Sequence, residues 1–170
     1  ARRIAAGEVG GLTWLCGPPG SGKTHLLQAL CAAASERMRA GYVPLGAVVA
    51  LGVGVLEGLP QLDCLCMDDI DRVVGQIEWE RGIFALLREL EDSGGRLVTA
   101  ASAPPALLSW ALPDLGSRCA AGAVLPLRML DEPEQRAALQ LRAKLRGVEL
   151  PQETLNWLLR RFPRDMGSLY

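Results

Sequence analysis

No other eight residues constrain this chain as much as Gly17-Pro18-Pro19-Gly20-Ser21-Gly22-Lys23-Thr24, which fit G-x-x-x-x-G-K-[ST] at every fixed position. Glycines at this spacing let successive backbone N–H groups converge on one anion, and a helix starting at the lysine adds its positive end to the field. Lys23 then supplies a compact charge for β and γ phosphates, and Thr24 a hydroxyl for Mg²⁺. Such a loop demands a strand running in and a helix running out, and the flanks comply. Residues 12–16 form a short apolar run, and residues 23–37 carry Leu26, Leu27, Leu30 and Ala34 on one helical stripe. Lys23 is one of only two lysines against sixteen arginines, which suits a position that needs a point charge rather than a planar fork.

A phosphate loop needs a carboxylate on a neighbouring strand. Residues 62–67 are an unbroken apolar run closed by Asp68-Asp69, the pattern of a strand buried on both faces of a parallel sheet. Asp68 is the candidate for the magnesium shell, and Asp69 for positioning or deprotonating the attacking water. Residues 42–45 read as a strand weakened by Pro44, and residues 48–56 as a weak helix despite their glycines. Residues 77–91 form an amphipathic helix with Ile83, Leu86, Leu87 and Leu90 on one face, stopped by Gly94-Gly95. A fourth strand follows over 96–101, short helical turns over 106–119, and a fifth strand over 122–127.

Beyond residue 127 no strand-like run appears. Asp131-Glu132-Pro133-Glu134 is a capped helix start, its helix ends at Gly147, a second covers 151–162, and a third begins near Pro163. The expected organisation is an α/β nucleotide-binding domain over 1–128, a five-stranded parallel sheet flanked by helices, followed over 129–170 by a small helical domain whose last helix is cut short.

Charge narrows the function. Lys plus Arg total 18 and Asp plus Glu 19, a net charge of −1, which lacks the basic excess of an autonomous DNA binder. Five cysteines, mostly in apolar runs, read as buried free thiols of a reducing compartment, and one histidine with no C-x-x-C pair argues against a zinc site. No run reaches the 18 or more apolar residues of a membrane span, and no apolar stretch follows Arg2-Arg3 to act as a secretion signal, so a cytoplasmic protein with no membrane role is expected. The lone asparagine, Asn156, precedes Trp157 and not the Lys-x-Asp of a guanine-reading motif, so the base is expected to be adenine.

Gly22-Lys23-Thr24-His25-Leu26-Leu27, the Asp68-Asp69 pair and Leu115-Gly116-Ser117-Arg118 together resemble the AAA+ module of the bacterial replication initiator DnaA and its paralogues. Within that family, residues 138–151 are most similar to the paralogues that inactivate DnaA. The resemblance implies an AAA+ P-loop fold with a helical lid, binding ATP or ADP with Mg²⁺, His25 belonging with the cofactor loop. It implies that Arg118 is an arginine finger presented in trans to a neighbour's nucleotide, a device worth roughly 10³ to 10⁵ in rate. Arg164 matches the lid's phosphate-sensing arginine, and Ser102 stands where the family carries a polar sensor of the attacking water, usually Asn, Asp or Thr. A serine there implies weak hydrolysis by the chain itself, hence a nucleotide switch and ATPase activator. The implied partners are the DnaA AAA+ domain, the DNA polymerase sliding clamp through an N-terminal peptide that this chain is expected to lack, DNA only through those partners, and copies of the chain itself. Such a protein restrains re-initiation of replication. Two other readings stay open: a self-sufficient ATPase or small-molecule kinase using Asp69 in cis, and the AAA+ core of DnaA itself or of a helicase loader.

Overall fold

The structure is a computed structural model that describes residues 11–161. The chain forms two compact units: residues up to Gly17 together with Lys23–Pro126, and Pro18–Gly22 together with the residues from Leu127 onward.

The first unit is built on five parallel strands: β1 (Gly11–Cys16), β2 (Ala40–Pro44), β3 (Cys64–Asp68), β4 (Arg96–Ala101) and β5 (Ala123–Pro126), in the spatial order β2-β3-β4-β1-β5. Its main helices are α1 (Lys23–Ser35), α2 (Ile77–Asp92) and α3 (Pro113–Ala121). The apolar runs become strands because both sheet faces are covered: every residue of β3 is buried, and all but the first of β1 and β4. Trp14 of β1 is fully buried, packs edge to face on Trp110 at 5.9 Å, and donates its indole N–H to the Ala103 carbonyl at 3.0 Å. The stripe Ile83, Leu86, Leu87 and Leu90 of α2 is buried as its spacing predicts, each side chain contributing roughly 1.5–3 kcal/mol of burial. Both outermost strands are short and end in proline, β2 at Pro44 and β5 at Pro126.

Residues 48–56 differ from the expected helix. One helical turn, Leu45–Val48, runs into two 3₁₀ turns, Val49–Leu51 and Val53–Leu56. Gly52 between them has φ 82°, a left-handed conformation that no helix carries through. The region 106–119 is more regular than expected: after one 3₁₀ turn, Pro105–Leu107, the nine residues of α3 form a single helix with proline at its first position.

The helices described in the second unit are α4 (Glu132–Leu145) and α5 (Gln152–Arg161). The expected cap is present in full: the Asp131 carboxylate accepts the Glu134 N–H at 2.9 Å, and the Glu134 carboxylate accepts the Asp131 N–H at 3.0 Å. Arg128 grips Glu134 with both guanidinium arms, at 2.7 and 2.5 Å. Arg136 of α4 donates to the Asn156 side chain of α5 at 2.7 Å and so ties the two helices. Among the described residues, no helix is long and apolar enough to cross a membrane.

Candidate functional site

The chain leaves β1 and β4 in opposite directions, towards β2 and towards β5, so the sheet's switch point lies between these two neighbours at the edge where strands end. The phosphate loop leaves β1 there. The Gly17 N–H donates to the Ala101 carbonyl at the end of β4 (3.3 Å), and the Ser21 N–H closes a turn on the Pro18 carbonyl at 3.2 Å. Gly20 and Gly22 have φ 79° and 86°. A Cβ on Gly22 would meet nothing within 4 Å, so glycine is required there by conformation and not by space.

Two donors in this loop fit an anion. The Lys23 ammonium folds back to donate to the Gly17 carbonyl at 2.7 Å, and the Ser21 hydroxyl is buried without a hydrogen-bond partner. An orphaned buried hydroxyl costs on the order of 1–3 kcal/mol, which a phosphate oxygen at the loop would relieve. Thr24 is exposed in the first turn of α1, and His25 is half-buried beside it. The Cys16 thiol below the loop is pushed up by burial, partly countered by the Lys23 charge.

Asp68, the last residue of β3, reaches the same edge two strands from β1, a separation of about 10 Å. It is buried. Oδ2 accepts the Tyr42 hydroxyl at 2.9 Å and Oδ1 the Asp69 N–H at 3.0 Å, so neither of these two partners is a cation. Tyr42 is correspondingly pushed up to about 12, by burial first and by its bond to Asp68 second. A carboxylate at a strand end, with lone pairs left over, has the donor chemistry of a magnesium shell completed by water.

Asp69 has φ 54° and ψ 43°, the one left-handed non-glycine among the described residues. That conformation costs on the order of 1 kcal/mol and turns the side chain outward, exposed, with Oδ2 where a Cβ on Gly46 would come within 2.9 Å. Its carboxyl is raised above the usual carboxylate range by partial burial and by Asp68, against the pull of Arg72 and Lys23.

Two residues of this edge escaped the sequence reading. Tyr42 carried no motif. Asp71 was the third acid of Asp68-Asp69-x-Asp71, a signal that was present; its Oδ2 accepts the Ser102 N–H at 2.7 Å while Oδ1 is buried without a partner. Asp71 therefore fixes the backbone of Ser102, just beyond β4, whose side chain is exposed. Thr99, earlier on β4, is fully buried with an unpartnered hydroxyl.

Arg118 lies elsewhere. It belongs to the last turn of α3, five residues before β5 begins, and it pairs with Glu91, likewise five residues before β4. Its guanidinium also stacks over Phe84 at 5.4 Å from the ring centroid. Both helices run back from the edge where strands end, so Arg118 and Glu91 mark the edge where strands begin. Arg164 falls outside the described residues.

A parallel five-stranded sheet in this order, with a phosphate loop after β1 and an acidic strand end on β3, defines the AAA+ P-loop NTPase fold. The model of the Hda lid domain matches residues 131–170, and one described as RNA helicase matches 13–91, the stretch that holds the phosphate loop and the acidic pair. Domain III of the Thermotoga maritima replication initiation protein DnaA is similar at 25% identity over 92% of this chain and 71% of its own, with a TM-score of 0.74. AMPPCP-bound DnaA from Aquifex aeolicus is similar at 22% identity over 96% of this chain and 54% of its own, with a TM-score of 0.78. The Thermotoga maritima RuvB Holliday junction branch migration motor shares the fold at 21% identity over 94% of this chain and 52% of its own, with a TM-score of 0.58. Over residues 131–170 the chain is similar to the Hda lid domain, and over most of its length it shares the fold of DnaA AAA+ domains. It spans 56% of the length of the replication initiator DnaA bound to AMPPCP and single-stranded DNA, and 56% of that of a DNA replication initiation factor, both of which it matches.

Proposed function

We propose that this chain is a nucleotide-controlled regulator of replication initiation, which binds ATP or ADP with Mg²⁺ and activates hydrolysis of ATP held by a DnaA AAA+ domain. The observation that carries this reading is the place of Arg118 at the edge where strands begin, opposite the end of β1 at which Gly17 opens the phosphate loop. An arginine held where strands begin has no phosphate of its own chain to serve, and it acts on phosphate only by meeting a neighbour's. Within the chain, the backbone of Gly17–Gly22, Ser21 and Lys23 would hold phosphates, and Thr24 and Asp68 the magnesium shell. A bound magnesium nucleotide supplies a phosphoanhydride whose state the lid can read. In this reading the lid is residues 129–170 and Arg164 is its sensor. Asp69 and Ser102 flank the water position, and the short serine side chain keeps the chain's own hydrolysis weak. The DNA-loaded sliding clamp recruits the protein through an N-terminal peptide, so the protein reaches DNA through partners, in keeping with its net charge of −1.

The test is hydrolysis of DnaA-bound ATP in the presence of clamp, DNA and full-length protein. Stimulation is expected from the wild type and a fall of roughly 10³ or more with Arg118→Ala. Stimulation that survives Arg118→Ala overturns the reading.

One observation favours a second reading, a self-sufficient ATPase: the strained backbone and raised carboxyl of Asp69 are what a general base in cis needs. ATP turnover by the protein alone, abolished by Asp69→Ala and indifferent to DnaA, would establish it.

A further inference from the structure

Glu80 is a charged residue with no exposed surface, in the first turn of α2 and outside every motif of the site. Burying a carboxylate costs several kcal/mol unless its oxygens find donors. Both do. Oε1 accepts the Gly75 N–H at 2.6 Å and Oε2 the Leu112 N–H at 2.5 Å. Gly75 ends the turn that follows Asp68-Asp69, and Leu112 is the N-cap residue of α3, the helix that carries Arg118.

Neither α2 nor α3 has a side-chain cap of its own. Gln76 and Leu112 stand at their N-cap positions, and neither makes a capping hydrogen bond. The Glu80 carboxylate meets the positive beginnings of both helices, which compensates its charge and supplies from α2 the side-chain cap that α3 lacks. The far end of α3 is fixed from α2 as well, since Arg118 pairs with Glu91 and stacks on Phe84. Residues 80, 84 and 91 are spaced by four and seven, one face of one helix. The packing between these anchors is close: a Cβ on Gly116 would come within 2.5 Å of the Trp110 ring, which itself donates to the Pro105 carbonyl at 2.8 Å.

We infer that Glu80 is a positioning residue for Arg118, capping the arginine helix from α2 and joining it to the turn behind the acidic pair. The inference rests on the proposed trans role of Arg118 for its functional half, and on geometry alone for its capping half. A misplacement of about 1 Å can cost a rate on the order of 10². Glu80→Gln keeps the volume but sets an amide against one of the two N–H donors.

In the full-length protein, Glu80→Gln is expected to lower the maximal stimulated hydrolysis of DnaA-bound ATP by about 10- to 100-fold. The protein concentration giving half-maximal stimulation, and ADP binding by the chain's own loop, should stay within about twofold, a split that general unfolding would not produce. Hydrogen exchange of the α3 amides should speed up in the same variant. Unchanged maximal stimulation by Glu80→Gln, with Arg118→Ala inactive, overturns the positioning role and spares the proposed function. Full activity of Arg118→Ala overturns both functional statements, and the α3 exchange then decides the capping role alone. Should Glu80→Gln fail to fold, exchange in the wild type decides: slow exchange at Gly75 and Leu112 supports the clamp, and fast exchange at both overturns it.

Discussion

The two edges of the parallel sheet are finished in opposite ways. Where the strands end, polar groups are left without partners or held under strain: the Ser21 hydroxyl, Oδ1 of Asp71, and the left-handed backbone of Asp69. Where the strands begin, charges are matched, Arg118 with Glu91 and Arg39 with Asp63 at 3.0 Å. An edge with open hydrogen-bonding capacity gains free energy when a ligand arrives. A matched edge must give up a partner before it can engage anything new, so whatever Arg118 does next is in competition with Glu91.

Substitutions at three residues test this contrast. The largest effect is expected at the open edge: Lys23→Ala removes the ammonium from the loop and should weaken ADP or ATP binding by at least about 100-fold in titration calorimetry, with the fold intact by circular dichroism. Undiminished binding would mean that the open groups are not a phosphate site. At Asp69 the effect is on stability and is intermediate. Because φ is 54° there, Asp69→Gly should be more stable than Asp69→Ala by about 1 kcal/mol in chemical denaturation. The raised carboxyl of Asp69 adds a pH signature. Its folded state binds a proton more tightly than the unfolded chain, so wild-type stability falls as pH rises from the ordinary Asp value through the raised one. Asp69→Asn should gain on the wild type across that window and hold its advantage above it. The smallest effect is expected at the matched edge. Glu91→Gln should change stability by less than about 1 kcal/mol, and less still in high salt, because the pair is exposed. A larger loss would make that pair part of the fold and not a resting place for Arg118.

Much of this frame is legible in the sequence. The phosphate loop announces β1 and α1, the apolar run before Asp68 announces β3, and the stripe from Ile83 to Leu90 announces α2, because each signal is local and periodic. The Asp131–Glu134 box is equally local, its partners three residues apart. What escapes is the set of bonds that join distant segments: Tyr42 to Asp68 across 26 positions, Asp71 to Ser102 across 31, Glu80 to Leu112 across 32. No pattern within a helix or strand encodes these, since they depend on which strands become neighbours. The 3₁₀ turns of residues 49–56 escaped for another reason: a left-handed glycine inside an apolar run looks, by composition alone, like a poor helix.

The prolines that close both outer strands have a consequence for solubility and assembly. A bare sheet edge is a template on which other strands can add, and proteins blunt it by keeping edge strands short or placing proline on them. Here β2 and β5 have five and four residues and finish at Pro44 and Pro126, residues that cannot donate to a further ladder. The sheet is thereby discouraged from growing by strand addition, and a second chain that approaches it is turned towards side chains and loops, the kind of contact that can be made and released.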